Sequence, residues 1–465
     1  MPLLAVDDTD TREGGCTTRT GLALATVIER AGGALSGWGL IDVPRLVRLC
    51  PAVPWKTRGN GAVVLPVGER AGKDGQQIGH DGDTLLGLGR PSGDEVPDSA
   101  VEALKEIVAD LLPEPAEGDA DPQPGAVLLP HAPDVSLYHA AVATVITPDS
   151  AWRAAPEGTL RLTERPGRGE IGALAAAAWP MTRYTWEWIA YRDDADRRPG
   201  RDLSREVVEG LLATRRAFDD RDAATGRLRM VPRTPCPVLY GLRGTDPHTI
   251  LDKVTALDDG RHGGLLFRTN QATGDHAAHA SDQPTPWSVV RTGVTVTAHP
   301  ERRAGGHLFV RAETDGASLL LAAFEPTKGL RDVLDRTMPG DRLEVLARTG
   351  RDATTLRLEA FRPLTLVPRT RSMPNPRCPV CGRAMKSAGH GAGYRCRPCG
   401  ERADATVVGV RESVLILGSL YQVPDHVRGH LLPPLEGLPA ARPLAGEKAG
   451  LPVAPVLSDG PVLLA

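Results

Sequence analysis

Near its start the chain runs Leu4-Ala5-Val6 without a polar break and then stops on Asp7-Asp8-Thr9-Asp10. A short apolar run bounded by polar residues predicts a buried strand. Beyond Thr11-Arg12-Glu13-Gly14-Gly15-Cys16-Thr17-Thr18 the apolar residues recur at helical spacing over 22–28, so a glycine hinge leads from the strand into a helix N-terminus. Strands are predicted at 34–42 and 62–67, a helix at 99–112, a helical or strand-like element at 137–146, and a small-residue helix after Gly167-Arg168-Gly169-Glu170-Ile171-Gly172. Alternation over 184–192, helical spacing over 204–218, a strand-like unit at 234–244, a helix at 247–257 and a strand at 264–269 give strand-helix-strand twice in about 90 residues, which predicts a split βαβ, ferredoxin-like unit. Five short alternating segments follow, at 289–298, 307–313, 317–324, 341–348 and 354–361, with a helix-like insert at 330–337, and they predict an OB-type β-barrel.

The 465 residues suffice for roughly three or four domains. Formal net charge is −3, so any surface for polyanions has to be local. The chain has seven cysteines, few for a disulfide scaffold, and no stretch of about 18 apolar residues, so we expect a reduced, cytoplasmic protein without a membrane span. The acidic Pro/Gly-rich stretch 113–125 predicts a surface loop, and a Pro/Ala/Leu-rich end after residue 435 predicts a weakly ordered tail.

Asp7, Asp8 and Asp10 repel one another unless a cation sits among them, and hard oxygen ligands suit Mg²⁺ shared with substrate phosphates. Thr17 and Thr18 precede the helical pattern, where free N–H groups favour an anion. Together these point to nucleotide chemistry; singly, each residue reads more readily as a turn or a helix cap. The loop Trp55-Lys56-Thr57-Arg58-Gly59-Asn60-Gly61 combines two cations, two glycines and an Asn, which permits close approach to phosphate, although Asn-Gly alone reads as a hairpin turn. Gly169 and Gly172, at the entry to the small-residue helix, are candidates for packing against a nucleotide. Glu187, Asn270, Asp275 and His276 are candidates for binding a cationic substrate.

Cys378-Pro379-Val380-Cys381 and Cys396-Arg397-Pro398-Cys399, fourteen residues apart, have the spacing of two knuckles closing a structural Zn²⁺ site. Around them Arg369, Arg371, Arg377, Arg383, Lys386, Arg395, Arg397 and Arg402 face Glu401 as the one acid between 369 and 402, which predicts a grip on a phosphate backbone.

The Asp-Asp-Thr-Asp run with Gly-Cys-Thr-Thr, the stretch Ile41-Asp42-Val43-Pro44-Arg45-Leu46-Val47-Arg48-Leu49 and the stretch from Pro54 to Val63 resemble the archaeal tRNA(Ile) 2-agmatinylcytidine synthetases, the TiaS family. The resemblance reaches to about residue 405; Gly15 stands where the family's motif usually carries Met. It implies an α+β multidomain fold: an ATP-binding, kinase-like catalytic α/β domain (1–182), a ferredoxin-like domain (183–285), an OB-fold domain (286–368), a zinc ribbon (369–405) and a partly disordered C-terminal segment (406–465). It further implies a ligase that uses ATP, converted to AMP and phosphate, to join agmatine or a similar amine to C2 of a wobble cytidine in tRNA. Thr17 is then the autophosphorylated residue, with Thr18 beside it; Asp7, Asp8 and Asp10 hold Mg²⁺, and Lys56 and Arg58 neutralise phosphate. Two other readings remain open on the residues alone: an amine ligase for a small cytosine-containing metabolite, and a non-catalytic ribbon-and-barrel RNA-binding protein.

Overall fold

The computed structural model describes the chain except residues 13, 57–58, 73–74, 116–121, 194–195, 197–199, 223–224, 369–374, 390–391, 405–414, 445–447 and 458–465. The opening strand, Leu3–Asp7, lies in the middle of a twelve-stranded sheet between Gly61–Glu69 and Gly125–Leu129, antiparallel to both. Every one of its residues is buried. This is the signature of a strand covered on both faces, and it explains the unbroken apolar run. Helix Gly169–Ala177, in which six of nine residues are Gly or Ala, packs on these three strands, where small side chains allow close approach.

Strands Thr185–Tyr191, Ala217–Phe218, Val238–Gly244 and Gly263–Thr269 continue the same sheet, with helix Arg205–Leu212 after the first and Pro247–Ala256 after the third. In space the second strand pairs the third, the third the first, and the first the fourth, all antiparallel. The fourth strand then runs parallel to Arg45–Arg48, Arg268 opposite Arg45 and Thr269 opposite Leu46. The two units expected at 1–182 and 183–285 therefore share one sheet. One apolar core runs through both, from Leu3 to Leu444.

The second sheet closes on itself. Val289–Val296 pairs both His307–Thr314 and Arg342–Arg348, and the circuit completes through Thr355–Thr365 and Ala317–Ala323, which run parallel. This is a closed five-stranded barrel, with the short helix Gly329–Leu334 between its third and fourth strands. It docks on the loop after Arg48: Cys50 and Ala52 join its apolar core, and buried His276 Nε2 donates to the Glu359 carboxylate of the barrel at 2.9 Å. Burial pushes the Glu359 carboxyl up, but Arg348 and His276 outweigh it and bring it down to about 2.

Several local expectations change. Residues 34–42 form a 3₁₀ turn, Gly33–Leu35, and only a three-residue strand, Trp38–Leu40, with Gly37 at φ +83 between them. The 137–146 element is a helix, Val135–Ala143, capped by Asp134, whose carboxylate accepts from Ser136 N. The helix predicted to reach 218 ends at Leu212, since Arg216 takes the left-handed conformation (φ +62) before the strand Ala217–Phe218. The largest change concerns the chain end. Its described parts are strapped across both cores: Leu431, Leu444, Leu432, Val456 and Leu457 are buried, and Trp186 Nε1 and Tyr184 Oη donate to the carbonyls of Arg442 (2.9 Å) and Lys448 (2.8 Å). The backbone of 272–274 donates to His430 and Leu431. The tail's composition resembles that of an unstructured segment, yet its leucines and valines are spent on grooves that exist only in the folded protein.

Candidate functional site

The site grows from the end of the first strand. Asp7 is 8% exposed and its carboxylate presses on helix Gly169–Ala177 at Gly172, where a Cβ would overlap it. Asp8 follows in the left-handed region, φ +56, an unusual conformation for a residue with a side chain and one often found at functional sites. Its Oδ2 lies 3.5 Å from Arg168 Nη2, and the Arg168 guanidinium in turn sits over the Trp55 ring at 5.8 Å. Asp10 turns back onto helix Thr17–Arg30: its Oδ1 accepts from the Thr17 backbone N at 2.6 Å and from Thr17 Oγ1 at 3.2 Å. Thr9 Oγ1 donates to Thr17 Oγ1, also at 3.2 Å. Cys16 occupies the N-cap position without a capping side-chain bond, so Asp10 supplies the anion that the helix start favours. The loop is tight around Gly15, where a Cβ would come within 2.9 Å of Thr11 and 2.8 Å of the Thr9 carbonyl.

A cavity with about 770 Å³ of empty space, open to solvent, is lined by Asp7, Asp8, Asp10, Thr17, Trp55, Lys56, Gly59, Asn60, Gly61, Arg168 and Gly172 and by an apolar wall that includes Leu49, Val53, Val145, Ile146 and Ile171. Of the predicted phosphate loop, Lys56 donates to the Pro51 and Val53 carbonyls at 2.6 and 2.7 Å, and Asn60 Nδ2 to the Cys50 carbonyl at 3.2 Å. Burial moves the Lys56 ammonium down from its usual range, and Arg348 adds to it. Arg58 falls outside the described residues. Gly169 is buried beneath Asp7, where a Cβ would strike the Asp7 carbonyl, and does not line the cavity; Gly172 does.

Burial, then Asp8 and Asp10, push the Asp7 carboxyl up to about 8. A carboxyl in that position keeps its proton at neutral pH unless a cation replaces it. The donor set thus fits Mg²⁺, but with a restriction. Among the described residues the four cysteines are the only group of three or more metal-ligating side chains with all ligand atoms within 4.8 Å of one another. The three aspartates do not converge to that degree, and Asp10 is engaged with Thr17, so a metal here would take one or two carboxylates plus phosphate oxygens, the usual Mg²⁺ arrangement. Gly172→Ala should push Asp7 out of this position. We expect ATP turnover to fall at least tenfold with little loss of tRNA binding; unchanged turnover in a steady-state assay would contradict the geometry.

A second cavity, about 810 Å³, lies on the other side of Thr17. Asp10, Thr17, Gly59 and Gly61 line both cavities. Its own wall carries Cys16, Thr18, Arg48, Glu187, Arg229, Arg243 and His430. Glu187, 1% exposed, stands opposite Arg243 across the strands and accepts from its Nε at 2.9 Å, with Arg48 Nη2 at 3.8 Å. Removing one partner of such a buried pair costs about 3–5 kcal/mol.

The other residues predicted to bind a cationic substrate are placed elsewhere. Asn270 bonds the Arg48 backbone, accepting from N at 2.6 Å and donating to O at 2.8 Å. Asp275 accepts from buried Tyr138 Oη at 2.6 Å. His276 belongs to the barrel contact described above. All three are buried structural links, and none lines either cavity. What sequence reading missed is the basic wall. A signal existed: Arg48, Glu187 and Arg243 are charges inside otherwise apolar strands. His430, in the C-terminal segment, gave none.

In the ribbon, Cys378 Sγ and Cys399 Sγ are 3.4 Å apart, Cys381 and Cys396 3.4 Å, and Cys399 and Cys381 3.7 Å. A tetrahedron of thiolates at a Zn–S distance of about 2.3 Å has edges of about 3.8 Å, so the four sulfurs are set for Zn²⁺ with no coordination position left over. Three short strands, Lys386–Ser387, Tyr394–Arg395 and Arg402–Ala403, hold the knuckles.

A mixed α/β sheet with a carboxylate-edged cleft, a closed five-stranded barrel and a four-cysteine ribbon define a multidomain protein with a nucleotide-type site and a zinc ribbon. Family models match at 3–159 (TiaS TCKD domain), 167–276 (TiaS FLD domain) and 375–410 (TiaS C-terminal zinc ribbon domain). The tRNA(Ile) 2-agmatinylcytidine synthetase TiaS of Methanopyrus kandleri is 33% identical over 93% of this chain and 96% of its own length; that of Archaeoglobus fulgidus is 32% identical with the same coverage. Among solved structures, apo TiaS superposes with a TM-score of 0.72 at 29% identity, covering 94% of this chain and 97% of that one. The complex of TiaS with its isoleucine tRNA and ATP superposes with a TM-score of 0.71 at 29% identity, covering 96% and 99%. The chain belongs to the tRNA(Ile) 2-agmatinylcytidine synthetase family, TiaS.

Proposed function

We propose that this chain is an ATP-dependent ligase that joins agmatine to C2 of the wobble cytidine of an isoleucine tRNA, acting in the cytoplasm. The observation that carries the reading is the Thr17 hydroxyl on the Asp10 carboxylate, at the wall shared by two cavities, in a chain that matches a TiaS relative over 93% of its length. Residues 1–182 are the kinase-like catalytic part and 183–285 the ferredoxin-like part. The strand order second-third-first-fourth, with a helix after the first and the third, supports the latter. The barrel's circuit of five strands supports an OB-type fold for 286–368.

The first cavity takes ATP. Its apolar wall accepts the base, Trp55, 39% exposed, offers its ring, and Lys56 and Arg168 face the phosphates. Bound Mg²⁺ would neutralise phosphate charge beside Asp7 and Asp8. Thr17 Oγ1 is held between Thr9 and Asp10, so Asp10 receives the hydroxyl proton as Thr17 attacks a phosphoryl group of ATP and the bridging P–O bond breaks, the rest of the nucleotide leaving with the electron pair. The cytidine C2 oxygen is a poor leaving group until it is phosphorylated. The amine nitrogen then bonds to C2 as the C2–O bond breaks and phosphate departs with the electron pair, taking up the proton that the nitrogen sheds, its remaining charge stabilised by cations already in place. Both alternatives lose ground: a small-metabolite ligase has no use for a basic ribbon, and a non-catalytic RNA binder has no use for the Thr17–Asp10 arrangement.

Incubation with ATP and Mg²⁺ should leave phosphate on Thr17, found by peptide mass spectrometry. Phosphate at another residue, or none under conditions that yield product, would rule this role out.

A further inference from the structure

We propose that the second cavity is a phosphate-binding basin, in which Arg48, Arg229 and Arg243 hold an anionic phosphate group across Thr17 from the nucleotide. This deepens the proposed function, since it rests on assigning the first cavity to ATP.

Three guanidinium groups line this cavity against two carboxylates, Asp10 and Glu187. Both carboxylates are engaged: Asp10 by the Thr17 N–H, Glu187 by Arg243 Nε. Asp219 stands beside Arg229, 2.9 Å from its Nη1, but is shared with Arg428. Arg243 bonds Glu187 through Nε alone, and its two terminal nitrogens have no hydrogen-bond partner among the described residues. Arg48 Nη1 reaches the Gly59 carbonyl only at 3.4 Å. Fork-shaped donors left open in this way match the oxygens of a phosphate.

The imidazole of His430 reads the same field. Its Nδ1 faces Gln271 Oε1 at 3.2 Å, which fixes Nδ1 as the donor and leaves the Nε2 lone pair towards Gly59. Arg48 first, then burial, Arg243 and Arg229 push it well below the usual histidine range. The first turn of the helix Thr17–Arg30 adds its positive end on the same side. Around these charges Ile189, Met230, Pro232 and Val238 form an apolar floor, which strengthens attraction to an anion. A cationic amine meets the opposite conditions here.

The phosphate has two possible sources, the RNA backbone beside the reacting cytidine or the phosphate released in the reaction. Calorimetric titration of the full chain with inorganic phosphate, with ATP and with tRNA separates them. In Arg243→Gln we expect phosphate affinity at least tenfold weaker and ATP affinity within twofold of the parent. Because Arg243→Gln strands Glu187, the double variant Arg243→Gln/Glu187→Gln, which removes both charges, must show the same loss; Arg243→Lys should keep most of the affinity. If the RNA backbone is the source, tRNA affinity falls in both Gln variants and its log–log salt slope shrinks by about one. If released phosphate is the source, tRNA affinity holds and product inhibition by phosphate disappears. Phosphate binding unchanged in both Gln variants overturns the basin, as does one-for-one displacement of phosphate by ATP. Lack of response in both the tRNA and the inhibition arms overturns its role in the reaction. A parent protein that binds phosphate through Arg243 but no ATP would instead overturn the ATP assignment and leave the basin standing.

Discussion

Thr17→Ala should lower formation of agmatinylated tRNA by at least about three orders of magnitude, because it removes the proposed phosphoryl acceptor, which no neighbour can replace from the same position. Thr18 is one residue on, but its hydroxyl lies 3.2 Å from Cys16 Sγ and is not joined to Asp10. The helix start itself should survive, since the Asp10 bond to the Thr17 backbone N needs no side chain. Binding of tRNA and ATP should therefore stay within a few-fold of the parent. Serine at 17 keeps the hydroxyl and should restore most of the rate. Parental turnover by Thr17→Ala in a single-turnover assay would remove Thr17 from the chemistry.

Cys396→Ser should release zinc and, with it, most of the tRNA affinity. The ribbon's apolar core among the described residues consists of Cys378, Met385 and Cys396, with Tyr394 and Ala403 against it, too little to fold without the metal. Arg377, Arg383, Lys386, Arg395, Arg397 and Arg402 would then lose their common geometry. Every phosphate that is no longer gripped reduces the log–log salt slope by about 0.9, so freeing four or so weakens binding by about two orders of magnitude or more at moderate salt. Elemental analysis and a salt titration of tRNA binding measure both effects. The catalytic part should be untouched: the ribbon leaves and re-enters at one end of the barrel, where Gly418 N donates to the Pro363 carbonyl at 2.9 Å. Full zinc loss with unchanged tRNA affinity would mean that the RNA is gripped elsewhere.

The parts of this molecule that a sequence shows well are those in which local pattern and local structure coincide. The Leu4-Ala5-Val6 run, the barrel strands and the Cys-x-x-Cys pairs belong here, because periodicity or spacing is itself the structural requirement. Thr17 and the aspartates were legible as a cluster, but the bond from Asp10 back to Thr17 depends on how Asp8 turns the chain at φ +56, which no residue type announces. Asn270, Asp275 and His276 look like a polar surface loop in sequence; all three are buried, and each is consumed by a structural partner, Arg48, Tyr138 and Glu359 of the barrel respectively. Residues brought in from far along the chain were hidden altogether. His430 reaches the second cavity because a tail with the composition of a linker happens to supply the leucines that fill two cores.

The central claim is tested most directly by giving purified protein an unmodified isoleucine tRNA transcript with ATP, Mg²⁺ and agmatine, then digesting the RNA and analysing its nucleosides by mass spectrometry. The account predicts one cytidine, at the wobble position, converted to a nucleoside heavier by agmatine less one water, dependent on ATP and absent with Thr17→Ala. Unmodified cytidine at that position with wild-type protein, while ATP is consumed, would contradict it.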